Sequence, residues 1–489
     1  MNRVKQFFSQ TAFFTLIQIL PPLAGFVMIK LYSNYLTEAE FSIYNLINLY
    51  TNLIFIFISF GADQLITRFY YEYQEDKNKL KEFYGTIFSC FLILTVIFLL
   101  LLFPFNADIN RQLFNNTIPD YQILLGIVTL NALNLSFTRV IQSILRVERN
   151  NKENFIFSIL IFFFQIIGSS IGLFAFNNKI LGTFIGRFAG IALIILLFYI
   201  RSKKSFQLSF KLKYIYKEWF FFLPIVFYNG LYWLSTFSDQ FVFNILTCRT
   251  NQLALYQMAF NLTIVVDMLL TAVNAHITPE FNELMKNKPK DYIESIRTNA
   301  HLLIVISITG MIGIIFLAQI IIDFVIDIKY RTSSIYLGAI SVLYIFRLLY
   351  LIFAIPLYYL KKTIYLPGVF FVSTIINILM NIFLIPVFGI WSLIISSALS
   401  KIIQTTFISV ISLRHFPIQY NWAKIIILPV VFFLLMVGAT LVQLWNPINF
   451  YLLWLIPSVV ISILMYFSYK KQIIHLISAI RIKLASNVS

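Results

Sequence analysis

The sequence predicts an all-α polytopic membrane protein with about fourteen transmembrane helices. Of the 489 residues, 60% are hydrophobic and only 12% are charged, which is outside the usual range of soluble globular domains. Apolar runs of roughly 18 to 25 residues recur along the chain, and each is long enough to cross a hydrocarbon core of about 30 Å as a helix. Basic residues alternate between crowded and sparse loops, as in multi-pass membrane proteins.

The apolar runs define the predicted spans. They lie near residues 8–29, 42–66, 84–104, 121–143, 155–176, 181–200, 219–243, 252–278, 300–327, 334–359, 365–386, 390–413, 422–443 and 451–468. An even number of spans places both termini on the same side of the membrane. We expect no removable targeting peptide, because the first run contains Pro21 and Pro22 and lacks a small-residue cleavage site.

The distribution of lysine and arginine assigns the two sides of the membrane. Roughly 27 of the 37 Lys and Arg residues lie in one set of loops and near the termini, whereas about six lie in the opposite loops. The first set is therefore predicted to be cytoplasmic, with both termini. The net charge of +17 then follows from topology and from contact with anionic membrane lipids, so no nucleic acid partner is expected.

A weak internal repeat divides the chain. A shift of 212 residues aligns Tyr44 with Tyr256, and a shift of 210 residues sets Gly182 on Ser392. We therefore expect two parallel, pseudo-symmetric lobes of six helices, plus two C-terminal helices. The predicted organisation is an N-lobe at 1–200, a cytoplasmic interfacial linker at 201–218, a C-lobe at 219–415, two further spans at 416–468 and a basic amphipathic tail at 469–489.

Three stretches of the chain resemble one known family. "KLYSNYLTEAEFSIYNLINLYTNLIFIFISFGADQLITRFYYE" resembles its first loop and second helix. "LSTFSDQFVFNILTCRTNQLALYQMAFNL" resembles its Ser-Asp-Arg segment, with Gln240 where the family often has Arg. "KKTIYLPGVFFVSTIINILMNIFLIPVFGIWS" resembles its eleventh helix, including Asn377, Asn381, Pro386 and Gly389. The family is the bacterial polysaccharide, or O-antigen, flippases of the multidrug/oligosaccharidyl-lipid/polysaccharide export superfamily.

This resemblance implies a fold and a function. The two lobes would face each other in a V around a central cavity that opens alternately to the two sides. The cargo would be an undecaprenyl-diphosphate-linked oligosaccharide, flipped from the cytoplasmic to the outer leaflet of the inner membrane for surface polysaccharide synthesis. A polysaccharide polymerase complex is a candidate partner. No cofactor is expected, since the sequence lacks a phosphate-binding Gly-rich loop, and no metal site, since the histidines lack metal spacing.

Four basic residues lie inside predicted spans. Arg347 is about 13 residues, roughly 20 Å, from the outer end of its span, and Lys401, Arg187 and Arg139 lie in the twelfth, sixth and fourth spans. A charge near the bilayer centre costs about 2.5 to 3.5 kcal/mol even on the mildest scale. Because guanidinium and ammonium groups bind phosphate oxygens, these residues are the candidate ligands of the substrate diphosphate.

Two acids lie at comparable depth and keep a structural alternative open. Asp267 could be the counter-ion of Arg347 or a carboxylate that couples transport to a cation, and Asp239 could brace its span. Arg347 would then form an ion pair rather than bind substrate. Arg187 and Arg139 could reach interfacial water through helix tilt.

Two asparagines mark the second predicted span. Asn48 and Asn52 lie four residues apart and therefore on one face of the helix. They are candidates for lining a polar path beside the cations. Hydrogen bonding between helices explains them equally well.

Three other functions fit parts of the pattern. A cation-coupled multidrug antiporter of the same superfamily needs acids to hold cations, and the first span, 8–29, contains none. A membrane-embedded polysaccharide polymerase or ligase needs a sizeable outer domain, whereas the longest predicted outer loop, 105–120, offers only Asp108, Arg111 and Asp120. A structural scaffold would tolerate neutralising the buried cations. We therefore expect a transporter rather than an enzyme.

Overall fold

The structure is a computed structural model that describes residues 23–114, 121–201, 209–211, 213–216, 219–289, 291–360, 362–445 and 450–488. Every regular element in these ranges is helical. The first helix, α1, covers residues 23–35. The next nine are α2 (Glu38–Ser59), α3 (Ala62–Tyr73), α4 (Lys77–Leu102), α5 (Asn106–Phe114), α6 (Tyr121–Val147), α7 (Asn151–Ala175), α8 (Lys179–Arg201), α9 (Lys213–Tyr216) and α10 (Trp219–Thr247).

The second half of the chain continues in the same way. It contains α11 (Thr250–Asn287), α12 (Tyr292–Phe324), a 3-10 turn (Ile328–Ser333), α13 (Ser334–Val342), α14 (Tyr344–Tyr359), α15 (Tyr365–Phe388), α16 (Trp391–His415), a π turn (Ala423–Ile427), α17 (Leu428–Trp445) and α18 (Phe450–Val488). The last helix is kinked at Tyr469, where the backbone leaves helical geometry (φ −119°, ψ 22°).

Twelve segments of the described chain are long and apolar enough to cross a membrane. They coincide with predicted spans two to six and eight to fourteen. The predicted span at 8–29 begins outside the described residues. The predicted span at 219–243 is helical, within α10, but is not among the twelve. The all-α polytopic class is confirmed, and the total of fourteen stays a prediction.

The chain divides into two compact units, Met1–Asn251 and Gln252–Ser489. The boundary follows α10, which packs on α2 in the first unit, where Trp233 Nε1 donates a hydrogen bond to the carbonyl oxygen of Leu49 (3.1 Å). The predicted division at 201–218 lies one helix earlier. The assignment of six-helix lobes by the repeat stays a prediction.

The first unit is organised around α6, which packs against α2, α3, α4, α7 and α8. On its far side α7 and α8 approach each other through glycines. A Cβ atom built on Gly186 would lie 1.9 Å from the carbonyl oxygen of Gly168, and one built on Gly172 would lie 1.9 Å from that of Gly182. Gly182, Gly186 and Gly190 follow the four-residue spacing that brings small residues to one helix face. The α7–α8 seam is therefore a contact of backbone on backbone.

Local sequence signals explain where several helices of the first unit begin and break. The side chain of Thr37 accepts from the backbone N–H of Glu40, whose carboxylate accepts from Thr37 N–H, so α2 starts with a capping box. The Asp76 side chain caps α4 by accepting hydrogen bonds from the backbone N–H groups of Asn78 and Lys79. The predicted span 42–66 is broken after Ser59, because Phe60 (φ 36°) and Gly61 (φ 71°) adopt left-handed conformations that cannot continue a helix.

In the second unit, α15 and α16 form a tight pair, and α14 packs on α16. Ser392, which the repeat aligns with Gly182 of α8, and Ser396, four residues later, are both fully buried. The two C-terminal helices are attached through Trp454 of α18. Its ring is fully buried, and its Nε1 donates to Gln443 Oε1 of α17 (3.4 Å).

Gly338 of α13 makes room for that tryptophan, which leads to a stability prediction. A Cβ atom on Gly338 would lie 1.6 Å from Trp454 Cη2, so Gly338→Ala should destabilise the protein by about 2 to 3 kcal/mol through overpacking. Thermal unfolding of the purified variant measures this. Gly438→Ala, where a Cβ meets nothing within 4 Å, is the control, and the smaller side chain of Trp454→Leu should partly rescue Gly338→Ala. Equal unfolding temperatures for the two alanine variants would contradict this packing.

Candidate functional site

The clearest polar site in the first unit is the Arg187 node, formed by Arg187 of α8, Asn131 of α6 and Asn48 of α2. Arg187 Nε donates to Asn131 Oδ1 (3.0 Å), and Arg187 Nη1 donates to Asn48 Oδ1 (2.9 Å). Arg187 lies eight residues after Lys179, where α8 begins, and thus about 12 Å along the helix axis. The node therefore joins three helices below the surface of the unit.

Hydrogen bonds between α6 and α8 fix the orientation of the node. Asn131 Nδ2 donates to the carbonyl oxygen of Phe184 (3.0 Å), and Asn134 Nδ2 donates to that of Phe188 (2.9 Å). With its Nδ2 engaged in this way, Asn131 presents Oδ1 to the guanidinium. The α7–α8 seam holds a second face of α8, so contacts with both α6 and α7 fix the backbone that carries Arg187.

The guanidinium of Arg187 is deeply buried and incompletely bonded. Its side chain is 8% exposed, and its Cζ lies 4.6 Å from the centroid of the Phe184 ring. Among the residues that the structure describes, Nη2 has no hydrogen-bond partner, and no carboxylate pairs with Arg187. Amide oxygens and an aromatic face solvate the cation but do not neutralise it. The node therefore carries a net positive charge, and the Nη2 donor of Arg187 has no hydrogen-bond partner among the described residues.

The second unit contains a charged pair between α11 and α14. Arg347 Nε of α14 lies 2.7 Å from Asp267 Oδ1 of α11, and the two side chains are 24% and 25% exposed. Of the two possibilities open for Asp267, this geometry is that of a counter-ion. Because a quarter of each side chain remains exposed, the pair is accessible from outside the unit and is not sealed in the core.

The remaining predicted site residues are distributed differently. Asn52 of α2 bonds within its own helix, with Nδ2 on the carbonyl oxygen of Asn48 (3.0 Å). Arg139 of α6 is exposed, and Lys401 of α16 is half-buried. Asp239 of α10 is 3% exposed, and its Oδ1 accepts from the N–H of Gln240 (2.8 Å). The structure thus brings together Arg187 with Asn48, and Arg347 with Asp267.

Sequence reasoning missed Asn131, which is as close to Arg187 as Asn48 is. A signal was present, because Asn131 and Asn134 stand three residues apart in a predicted span and so share a helix face. Both side chains point to α8, which makes that face the seam between α6 and α8. Asn131 is 1% exposed and Asn134 is 4% exposed, so neither is a surface residue.

The Arg347–Asp267 pair leads to a second stability prediction. Asp267→Asn should leave a half-buried guanidinium without its counter-ion and destabilise the protein by about 1 to 3 kcal/mol, between the values for exposed and fully buried pairs. Arg347→Gln combined with Asp267→Asn should recover much of that loss. A double-mutant cycle of thermal unfolding measures the coupling. Strictly additive effects would contradict a direct interaction.

Comparison with known proteins agrees with this fold. Residues 7–285 match the family model described as "Polysaccharide biosynthesis protein". No curated protein matches the chain in sequence. Among solved structures, the chain is similar to the lipid II flippase MurJ in an inward closed conformation, at 16% identity and a TM-score of 0.65, over 96% of this chain and 99% of that chain.

Two further structures belong to the same superfamily. An inward-facing multidrug resistance MATE transporter matches at 14% identity and a TM-score of 0.60, over 81% of this chain and 94% of that one. A transporter from Pyrococcus furiosus whose binding pocket is described as having reverse polarity matches at 14% identity and a TM-score of 0.55, over 83% and 94% of the two chains. At these identities the likeness concerns the fold. The chain belongs to the polysaccharide biosynthesis protein family, and its multi-pass helical fold is similar to that of a lipid II flippase and of a multidrug resistance MATE transporter.

Proposed function

We propose that this protein flips a lipid-diphosphate-linked oligosaccharide, of the undecaprenyl-diphosphate type, across the bacterial inner membrane. The substrate moves from the cytoplasmic to the outer leaflet by alternating access and supplies surface polysaccharide synthesis. Membership of a polysaccharide biosynthesis family supports the pathway. The basic loops support an inner-membrane location with both termini in the cytoplasm.

The observation that carries the proposal is the Arg187 node. The guanidinium of a residue that is 8% exposed, with no described carboxylate paired with it and one nitrogen without a described partner, is energetically unfavourable by itself. An anionic ligand would remove that cost. Diphosphate is the anion that the proposed cargo offers, and guanidinium donors bind phosphate oxygens with charge-assisted hydrogen bonds.

The second unit contributes two basic side chains, Arg347, which is paired with Asp267, and Lys401. We propose that Arg347 exchanges its carboxylate partner for phosphate during transport, while Lys401 contributes a mobile ammonium. Arg139, which is exposed on α6, would meet the diphosphate at an earlier stage. Asn48 would hold Arg187 in place and reach the sugar or phosphate oxygens when the node opens.

A multidrug antiporter is the nearest alternative within the superfamily. Such a transporter must bind cationic compounds and therefore needs unpaired acids. The node described in the first unit offers amide oxygens and a cation, and Asp267 is engaged by Arg347. The polarity of these residues favours an anionic cargo.

Transport by the purified protein tests the proposal. The protein is reconstituted into liposomes with a fluorescent undecaprenyl-diphosphate oligosaccharide, and an added glycosidase reports how much substrate has reached the outer leaflet. We expect faster exposure than in protein-free liposomes, with the lipid-linked sugar chemically unchanged. A changed product would indicate a polymerase or ligase. Exposure equal to protein-free liposomes would contradict the proposed function.

A further inference from the structure

The first unit carries a groove that the Arg187 node does not use. It lies between α4 and α8, with α6 as its floor, and has a cavity volume of about 210 Å³. Its walls include Phe88 and Leu92 of α4, Phe137 and Ile141 of α6, and Leu196 and Tyr199 of α8. The walls are almost entirely hydrocarbon and aromatic.

The groove opens sideways, where only lipid can fill it. Leu92 is 43% exposed and Leu196 is 54% exposed, and both belong to segments long and apolar enough to span a membrane. Exposed apolar side chains of a membrane-spanning helix contact lipid chains rather than water. An acyl chain lying in the groove would restore the dispersion contacts that an empty apolar space lacks.

The two ends of the groove differ, and this difference selects the occupant. At one end lies Asn134, whose Nδ2 donates a hydrogen bond to the carbonyl oxygen of Phe188 (2.9 Å). The other end faces the predicted cytoplasmic side. There, Lys81 lies seven residues before Phe88, on the same face of α4 and about 10 Å nearer the helix start. No carboxylate among the described residues pairs with Lys81.

A lipid in this groove must therefore place its headgroup beside Lys81 and its chain toward Asn134. Asn134 follows Asn131 of the Arg187 node by about one helical turn, so the node adjoins the Asn134 end of the groove. A substrate whose phosphates contact Arg187 would have the opposite orientation. The occupant is thus a lipid that stays in the cytoplasmic leaflet rather than the transported molecule. The positive charge of Lys81 is complementary to the anionic lipids of that leaflet.

The same region of α4 also anchors the segment between α8 and α10. Ser89 Oγ donates to the carbonyl oxygen of Ser209 (3.2 Å), Thr86 Oγ1 accepts from the N–H of Lys211 (3.3 Å), and Glu82 forms an ion pair with Lys211. Tyr214 donates a hydrogen bond to the Glu82 carboxylate (3.1 Å), and burial and this contact raise the pKa of Tyr214 to about 12. A lipid bound to α4 would stabilise this anchored segment as well.

We propose that the groove between α4 and α8 binds one acyl chain of an anionic glycerophospholipid whose phosphate contacts Lys81. This inference does not depend on the identity of the transported cargo. Two variants address it separately. Ala192→Trp places a large ring in the groove, since Ala192 lines it. Lys81→Gln removes the positive charge of Lys81 and leaves the residues that line the groove unchanged.

Native mass spectrometry of the full-length protein tests the proposal, with phosphatidylglycerol, phosphatidylcholine and undecaprenyl phosphate offered at equal concentration. We expect phosphatidylglycerol to be retained most by the unmodified chain. Retention should fall about fivefold in Lys81→Gln, the effect of one basic residue near an anionic surface, and to the phosphatidylcholine level in Ala192→Trp. Added phosphatidylglycerol should raise the unfolding temperature of the unmodified protein but not of Ala192→Trp.

Matched controls use neighbouring positions that face away from the groove. Leu193→Trp adds the same ring one residue later on α8, at a side chain that is 45% exposed, and Lys79→Gln removes a lysine from the opposite face of α4. Both should retain phosphatidylglycerol like the unmodified chain. Equal retention of the three lipids, unchanged retention in both test variants, or a preference for undecaprenyl phosphate would each overturn the proposal.

Discussion

Replacing Arg187 with glutamine is expected to lower transport of the lipid-linked oligosaccharide about 10- to 100-fold. The loss corresponds to one hydrogen bond between charged groups, worth about 1.5 to 3 kcal/mol, which in our account forms between Arg187 and the diphosphate. Arg187→Lys should give an intermediate rate of transport. Lysine keeps the positive charge but lacks the planar guanidinium that donates to Asn131 and Asn48. Transport into liposomes and the amount of surface polysaccharide in complemented cells measure the effect.

A stability measurement separates this role from a purely structural one. If Arg187 served only to hold α2, α6 and α8 together, Arg187→Gln would lower the unfolding temperature. In our account the buried cation is costly without its ligand, so the unfolding temperature should be unchanged or higher. Arg201→Gln is the matched control, because Arg201 of α8 is 70% exposed and pairs with Glu153. Wild-type transport by Arg187→Gln at equal protein level would contradict the proposed role.

Gly186→Leu should abolish folding of the first unit. A Cβ atom at this position would lie 1.9 Å from the carbonyl oxygen of Gly168, and a backbone atom cannot move aside as a flexible side chain can. We expect a loss above about 3 kcal/mol, the upper end of ordinary overpacking, and little monodisperse protein in size-exclusion chromatography. Gly186→Ala should already lower the unfolding temperature by several degrees.

A glycine in the same unit provides the control for the seam. Gly126 lies in α6, and a Cβ atom there meets nothing within 4 Å. Gly126→Ala should therefore be neutral or slightly stabilising, since alanine favours helix more than glycine does. Normal expression and stability of Gly186→Leu would show that α7 and α8 do not approach as closely as described.

The predicted effects of the Arg187 and Gly186 substitutions are connected, because the contact between α7 and α8 positions the Arg187 node. Gly186 immediately precedes Arg187, and α8 is held between the seam with α7 and the asparagine bonds from α6. If α7 moved away, Arg187 would no longer reach Asn48 and Asn131 together. The glycines therefore contribute to function through geometry and not through any contact with a ligand.

Apolar length made most of the helices predictable. The bilayer thickness fixes the number of residues that a span needs, so the ends of helices such as α8 and α15 lie close to the predicted bounds. The break in the second predicted span was not predictable in this way. A single glycine in an apolar run does not have to end a helix, and the left-handed pair Phe60–Gly61 depends on its tertiary surroundings, including Ile225 of α10, which a Cβ on Gly61 would approach to 3.1 Å.

The charged residues of the candidate site could be identified from the sequence more readily than the side chains that they contact. Arg187 and Arg347 stood out because a charge inside an apolar run needs a physical reason, and Asp267 stood out as a possible partner for Arg347. The contact of Arg187 with Asn48 and Asn131 could not be derived, because it depends on how three helices are rotated about their axes. That rotation is set by packing, and here by glycines whose partners lie on another helix.

Binding of the headgroup by the purified protein tests the central claim most directly. Affinities for undecaprenyl diphosphate, undecaprenyl phosphate and undecaprenol are compared by microscale thermophoresis in detergent, for the unmodified chain, Arg187→Gln and Arg201→Gln. We predict that affinity rises with phosphate charge in the unmodified chain and in Arg201→Gln, and that the preference for diphosphate over undecaprenol falls at least tenfold in Arg187→Gln. The same preference in all three proteins would contradict the claim that this buried guanidinium receives the diphosphate.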